Sequence, residues 1–375
     1  MHYKILPTKQ FYIDFKIIRT MQGIFSGGKV IVVGSEVDAL PKGYGRRKGR
    51  LELEEAAGLL ETGKIEIKDE EGEALNPDEF LKRALEISPE FGMRYIVYKD
   101  LKERGYVVQP GGADFWLYPR GVKPGEKPAR YFIHILSESD SISLKELEAL
   151  LILARNMRKE PILAVVDDES DITYYDVNEA TFEMQAEKGE EIGKVKATLF
   201  GDRVIVWAAD SAETLHRIYF YGNLTKDKRL LLSFVEAAYL MKKGLLDIDA
   251  TSPNLQTFER FIEYASTIED DFSDKYMVYA DLMEKGLMVK TGFKFGSHFR
   301  VYKPMQQKHS SYLIHVLHKE HVFSMPELSR AVRLAHGVKK RMIFVQLFRE
   351  SLVKNDTQDK IVQKISYIDI GRMKL

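Results

Sequence analysis

The sequence predicts a chain of the α+β or mixed α/β class that carries one fold twice, each copy a small N-terminal α+β domain followed by a C-terminal mixed sheet flanked by helices. Three observations predict it. Glu55-Ala56-Ala57 recurs as Glu236-Ala237-Ala238, Tyr95-x-x-Tyr98-x-Asp100-Leu101 as Tyr276-x-x-Tyr279-x-Asp281-Leu282, and Gly105 as Gly286, each at an offset of 181. The same offset returns at His134/His315, Leu136/Leu317, Ser143/Ser324, Glu146/Glu327, Ala154/Ala335 and Lys159/Lys340. Within each copy, stretches of helical spacing alternate with apolar runs of strand length. The expected domains are 1–92 and 93–182 in the first copy, and 183–272 and 273–375 in the second.

Each copy opens with a strand, Lys29–Val33 or Arg203–Trp207, and passes a turn at Gly43-Tyr44-Gly45 or Tyr221-Gly222-Asn223. Helices follow at Leu53–Leu60 and Phe234–Leu240, each stopped by a glycine, Gly63 or Gly244, suited to a left-handed cap. A further helix is expected near Pro77–Ile87 and Leu255–Ser266. The C-terminal parts begin with helices Tyr95–Arg104 and Tyr276–Lys285, then strands Phe132–Leu136 and Leu313–Leu317. Ser143 and Ser324 each precede a glutamate by three residues, the signature of a capping box. Strands Ile162–Val166 and Met342–Val345 come next, and Ile172–Val177 and Ile365–Ile370 close the copies. These last strands align at an offset of 193, so residues 346–363 hold about 12 extra residues, read as a surface loop.

With 375 residues, 45% hydrophobic and 30% charged, the chain suits two to four packed domains. No run of about 18 apolar residues and no charged-then-apolar leader occurs, so a cytoplasmic protein with no membrane partner is expected. The absence of cysteine excludes disulfides, thiolate zinc sites and cysteine nucleophiles. A net charge of zero conceals a division. Lys275–Leu375 holds 19 Lys+Arg against 8 Asp+Glu, a surplus of 11 positive charges that the first 274 residues offset, and Arg94–Glu190 holds 13 basic against 18 acidic residues. A basic end suits phosphate; an acidic remainder suits docking on something basic.

Between Lys290 and Lys340 the second copy presents a phenol, Tyr302, an imidazole, His309, and an ammonium group, Lys340. Metal-free RNA cleavage needs three such groups. A base takes the 2′-hydroxyl proton, an acid protonates the departing 5′-oxygen, and a cation stabilises the phosphorane. Histidine titrates near neutrality, lysine supplies a point charge, and a tyrosine serves as base when cations lower its pKa from about 10. Lys339, Lys340 and Arg341 are expected to supply that field. The first copy keeps Tyr118 and Lys159 but has Pro128 where the second has His309, so duplication followed by division of labour is the reading.

The motifs that carry a resemblance are Tyr279-x-Asp281-Leu282 with Gly286, Thr291-Gly292-Phe293-Lys294-Phe295-Gly296-x-x-Phe299-Arg300-x-Tyr302, His309-Ser310-x-Tyr312-Leu313 and Val332-Arg333-x-Ala335-x-x-Val338-x-Lys340. Over nearly the whole chain the sequence resembles the archaeal tRNA-splicing endonucleases of the two-repeat, homodimeric type. The resemblance implies nuclease-type C-terminal domains, the first non-catalytic. It makes Tyr302 the general base, His309 the general acid and Lys340 the transition-state stabiliser, with no metal and no cofactor. The implied substrate is a precursor tRNA folded as bulge-helix-bulge RNA, recognised by shape and left with 2′,3′-cyclic phosphate and 5′-hydroxyl ends. It further implies that Arg333 and Arg372, the latter just beyond the last strand, clamp a flipped bulge base. The acidic turn with Asp167, Asp168, Glu169 and Asp171 would dock on basic residues of the second protomer's catalytic half.

Other patterns are read more plainly. His315, His318 and His321 form a His-x-x-His-x-x-His run, but the first lies on a strand expected to be buried and only Glu320 is close by, so no metal is assigned. His298 and His336 are read as ordinary histidines, and Tyr118 and Lys159 as relics. The rival reading is a non-catalytic RNA-binding or scaffold protein of the same fold. A metal-dependent DNA nuclease is disfavoured because no Asp/Glu pair accompanies the lysine.

Overall fold

The computed structural model describes residues 20–33, 40, 44–45, 49–122, 124–182, 193–249, 255–302, 309–318, 320–352 and 360–375, with 218, 349–352 and 360–363 described by backbone alone. It divides into two compact units. One comprises the chain up to Gly111 with Tyr118–Pro128, the other Gly112–Leu117 with Ala129–Leu375.

The first unit runs β1 (Met21–Ser26), β2 (Lys29–Val32), β3 (Arg50–Leu51), α1 (Leu53–Glu61), β4 (Ile65–Lys68), β5 (Ala74–Leu75), α2 (Pro77–Ile87), α3 (Phe91–Glu103) and β6 (Val107–Pro110). Its sheet has the order β3-β2-β1-β4-β5. The β1–β2 hairpin turns through Gly27 and Gly28, whose φ of 56° and 75° suit the twist of the flanking strands. β1 precedes the strand expected to open the domain, and it pairs in parallel with β4. Helix α2 starts with Pro77 and a complete capping box between Asn76 and Glu79, while Gly63 and Gly105 take the positive φ expected of helix-ending glycines.

The second unit runs β7 (Phe115–Tyr118, its last residue assigned to the first unit), β8 (Tyr131–Ser137), β9 (Ser141–Ser143), α4 (Leu144–Met157), β10 (Glu160–Val166), β11 (Ile172–Glu179), β12 (Val195–Phe200), β13 (Arg203–Val206), α5 (Ala209–Tyr219), β14 (Asn223–Leu224), β15 (Leu230–Leu232), α6 (Phe234–Lys242), β16 (Leu246–Asp249), α7 (Phe258–Ile268) and α8 (Phe272–Glu284). It continues with β17 (Met288–Thr291), β18 (Phe299–Tyr302), β19 (Tyr312–Val316), β20 (Val322–Ser324), α9 (Met325–Gly337), β21 (Arg341–Leu352) and β22 (Lys360–Met373). Strands β14-β15-β13-β12-β16 repeat the small sheet of the first unit. Helix α5, before the Tyr221-Gly222 turn, is an element that the sequence pattern does not announce: its short amphipathic stretch ends on Phe220 rather than on a glycine. The tandem-duplicated α+β architecture is as the repeat predicted.

The two C-terminal sheets join edge to edge in the order β17-β18-β19-β21-β22-β11-β10-β8-β7, with β22 antiparallel to β11. A second seam pairs β9 with β20. Between the seams one core gathers Leu147, Leu163 and Tyr175 from the first copy with Leu313, Phe323, Leu328 and Ile368 from the second. The region read as a surface loop is in large part a hairpin. Pairing of β21 with β22 continues from Gln346↔Ser366 to Leu352↔Lys360, and residues 353–359 lie outside the described set. Arg372 consequently sits inside the last strand, not beyond it.

Arg341 fastens this seam. Its Nε donates to Asp369 at 2.7 Å and its Nη2 to Asp176 of the first copy at 2.6 Å. Gly371 makes room, since a Cβ there would lie 2.5 Å from the Arg341 guanidinium. Burial pushes the Asp369 carboxyl up, and Arg341 opposes that rise. Arg341→Ala leaves two carboxylates facing each other in a partly dry seam, with an expected loss of about 2 kcal/mol at pH 7, below the value for a fully buried pair because the arginine is partly exposed. Urea unfolding at pH 7 checks this; a loss near zero would show that the seam does not depend on the pair.

Candidate active site

β18 ends on Tyr302, and the chain returns at His309 and Ser310 into β19. Ser311 N–H donates to Val301 O at 2.8 Å, Arg341 N–H donates to Ser311 O at 3.3 Å, and Lys340 Nζ donates to Ser310 O at 2.8 Å. The end of β18 and the starts of β19 and β21 therefore lie at one end of the sheet, and the backbone brings Tyr302, His309 and Lys340 to that end. Tyr302 is buried, Lys340 half-buried and His309 exposed.

Local backbone geometry delivers the lysine. Helix α9 closes with Lys340 N–H on Ala335 O at 2.9 Å, and Lys339 takes φ 57°, the left-handed turn that swings the chain from helix to strand. The first copy does the same with Arg158 at φ 53° and Lys159 N–H on Ala154 O at 2.9 Å. Burial, and then the nearby Arg300 guanidinium, hold the Lys340 ammonium pKa below its ordinary value.

The surroundings of Tyr302 correct one expectation. Arg341 is engaged with Asp176 and Asp369, and the cation against the Tyr302 ring is Arg300, its Cζ 5.7 Å from the centroid. Phe220 also approaches the Tyr302 ring, with centroids 6.0 Å apart. Phe220 has φ 64°, a conformation unusual for a bulky residue and costing about 1 to 3 kcal/mol, so packing must hold it there. Lys290, buried in β17, stands 5.4 Å from the Phe220 ring and donates to Gly222 O at 2.6 Å. Gly222 N–H in turn donates to the Glu236 carboxylate at 2.8 Å, and a Cβ at Gly222 would lie 2.6 Å from Leu231 O. Sequence reasoning gave no role to Lys290, Arg300 or Phe220. Lys290 and Arg300 are directly paired across β17 and β18, which a register drawn from the sequence could have revealed.

In the first copy the matching groups are held in structural bonds. Tyr118 OH donates to Gln109 Oε1 at 2.8 Å, and Lys159 Nζ donates to Ala129 O at 2.6 Å, repeating the lysine–carbonyl bond of the second copy. Lys159 also lies 4.9 Å from the ring of Trp116, which precedes Tyr118 by two residues as Arg300 precedes Tyr302.

Arg333 on α9 and Arg372 on β22 are exposed and line one small cleft with Thr173, Tyr175, Ser329 and Val332. The acidic turn is better satisfied than its charge suggests, because the Asp167 carboxylate accepts the Glu169 and Asp171 N–H groups at 3.1 and 2.8 Å. Asp168 stands beside Glu138, whose carboxyl is pushed up by desolvation and then by Asp168.

The histidine run disperses. His298 Nδ1 accepts the Val316 N–H at 2.9 Å, and burial followed by the charge of His315 drives its pKa down to about 3. His318 faces Asp271 at 3.9 Å and His321 faces Glu327 at 3.1 Å. Glu327 is therefore diverted from the expected capping box; Ser324 Oγ still accepts the Glu327 N–H, whereas Ser143 and Glu146 form the complete box. Among the described residues, no three His, Cys, Asp or Glu side chains are grouped so as to hold a metal ion, and no helix is long and apolar enough to cross a membrane.

Comparison with known proteins agrees with the duplication. The catalytic C-terminal domain of the tRNA intron endonucleases matches residues 91–174 and 272–354, and the N-terminal domain matches 21–81 and 195–262. The chain is 44% identical to a tRNA-splicing endonuclease of Methanococcoides burtonii, over 88% of this chain and 93% of that protein. It is 42% identical to one of Methanosarcina barkeri, over 88% and 93%, and 34% identical to one of Haloarcula marismortui, over 81% and 87%. With both domain types present twice, the chain belongs to the tRNA intron endonuclease family and is an endoribonuclease of the tRNA-splicing kind.

Proposed function

We propose that the chain excises introns from precursor tRNA by metal-independent cleavage at bulge-helix-bulge RNA. Tyr302 takes the proton of the 2′-hydroxyl, whose oxygen attacks the adjacent phosphorus. The bond from phosphorus to the 5′-oxygen breaks, His309 protonates that oxygen, and Lys340 stabilises the phosphorane. The products are a 2′,3′-cyclic phosphate and a 5′-hydroxyl. Support comes chiefly from that end of the sheet in the second copy, where Lys340 Nζ donates to the carbonyl of Ser310, the residue after His309, while Pro128 replaces the histidine in the first copy.

Each active protein is proposed to be a homodimer with one working site per chain. Arg333 and Arg372, on one cleft, are suited to stack on either face of a flipped base, because guanidinium planes combine stacking with charge. Asp168 and Glu169, with Asp167 and Asp171 behind them, are assigned to the basic half of the other protomer. The catalytic half is proposed as 273–375 and its non-catalytic counterpart as 93–182, each preceded by its own N-terminal domain.

The test is incubation of a bulge-helix-bulge RNA with the purified chain in EDTA. Cleavage at both bulges with cyclic phosphate ends is expected. RNA that is bound but left whole would favour a scaffold, and cutting that appears only with added divalent metal would overturn the mechanism.

A further inference from the structure

Among the described residues, nothing answers the charge of Arg300. Its Nε is buried without a hydrogen-bond partner, and no carboxylate pairs with it among the described residues. Alternation along β18 puts it on the same face as Tyr302. Its Cζ is 5.9 Å from the Phe295 ring, and Lys340 Nζ is 5.7 Å from that same ring. Two cations thus share one aromatic side chain; burial first, and then the charge of Arg300, disfavours the charged form of Lys340, and the same two causes act on Lys290 against the opposing pull of Glu236. Like charges held together in a partly dry pocket cost free energy until an anion enters between them.

The first copy supplies a contrast. At the position equivalent to Arg300 it has Trp116, and Lys159 lies over that indole, so the copy lacking the histidine also lacks the second cation. We infer that Arg300 is a further catalytic residue of the second copy, binding the non-bridging oxygens of the scissile phosphate together with Lys340. The guanidinium fork suits two such oxygens in a way that a point charge does not. This inference rests on the reading of Tyr302, His309 and Lys340 as the active site.

The test compares wild type with Arg300→Met and Arg300→Lys in single-turnover cleavage of bulge-helix-bulge RNA in EDTA. Affinity for an uncleavable 2′-deoxy RNA and inhibition by inorganic sulfate are measured alongside. Arg300→Met is expected to slow cleavage about 10² to 10³-fold, the scale for losing one donor to a developing oxyanion. RNA affinity should change less than about tenfold, sulfate should inhibit about tenfold more weakly, and Arg300→Lys should be intermediate. A folded Arg300→Met chain that cleaves within about threefold of wild type overturns the inference, as does one that is slow but retains wild-type sulfate inhibition. Should Arg300→Met melt at assay temperature, Arg300→Lys decides by the same two readouts. Tyr302→Phe and Lys340→Met run in parallel. If they lose cleavage while Arg300→Met keeps it, only the Arg300 inference fails; if they too keep it, the active-site reading fails and the inference falls with it.

Discussion

His309→Ala is expected to lose about 10² to 10⁴-fold in single-turnover cleavage while holding RNA nearly as tightly as wild type, because a general acid acts on the leaving 5′-oxygen and contributes little to ground-state binding. His309 is exposed at the end of the sheet where β18, β19 and β21 meet, outside every described helix and strand. The variant should therefore fold and melt as wild type does. A second arm sharpens the test: an RNA whose 5′-leaving oxygen is replaced by sulfur needs no proton on departure, so the variant should recover most of its rate on it. Wild-type speed on ordinary RNA would remove His309 from the mechanism, and an equal deficit on the sulfur substrate would assign it some other part.

The second large effect concerns assembly. A chain with Asp168→Lys and Glu169→Lys is expected to shift toward monomer and to lose cleavage with Tyr302, His309 and Lys340 untouched. Asp167 is spared in this design for a structural reason. Its carboxylate accepts two backbone N–H groups within the turn, so replacing it would unmake the turn itself and confuse a local defect with a lost interface. Reversed charges at Asp168 and Glu169 would meet, on the partner, the segment Lys275–Leu375, which carries 19 basic against 8 acidic residues. Like charges placed together across an interface cost several kcal/mol, enough to shift a dimer by several orders of magnitude in dissociation constant. Light scattering paired with the cleavage assay checks it. A charge-reversed chain that remains a fully active dimer would exclude this turn from the interface.

The sequence by itself determined the duplication, the class of fold and most helices and strands, because those follow from local rules. An offset of 181 needs only counting, and the Ser143–Glu146 box and the glycines after α1, α3, α6 and α8 act over three or four residues. It also singled out Tyr302, His309, Lys340, Arg333 and Arg372. Tertiary structure alone decided what surrounds them. Whether Arg341 or Arg300 stands against Tyr302 depends on which strand lies next to which. The seam of β22 with β11 captures Arg341 for Asp176, 165 residues away, while the β17–β18 register sets Lys290 opposite Arg300. Phe220 reaches Tyr302 only through a left-handed residue at the end of α5, which no apolar pattern signals. The Glu327 carboxylate likewise faces His321 instead of the Ser324 N–H, although Ser324 Oγ still accepts the Glu327 N–H, a choice made by proximity in the fold and invisible to a capping rule. Local free energies of about 1 kcal/mol write the elements into the sequence. Charge, burial and contact between residues far apart in the chain decide the chemistry of the site, and those exist only once the two copies have packed.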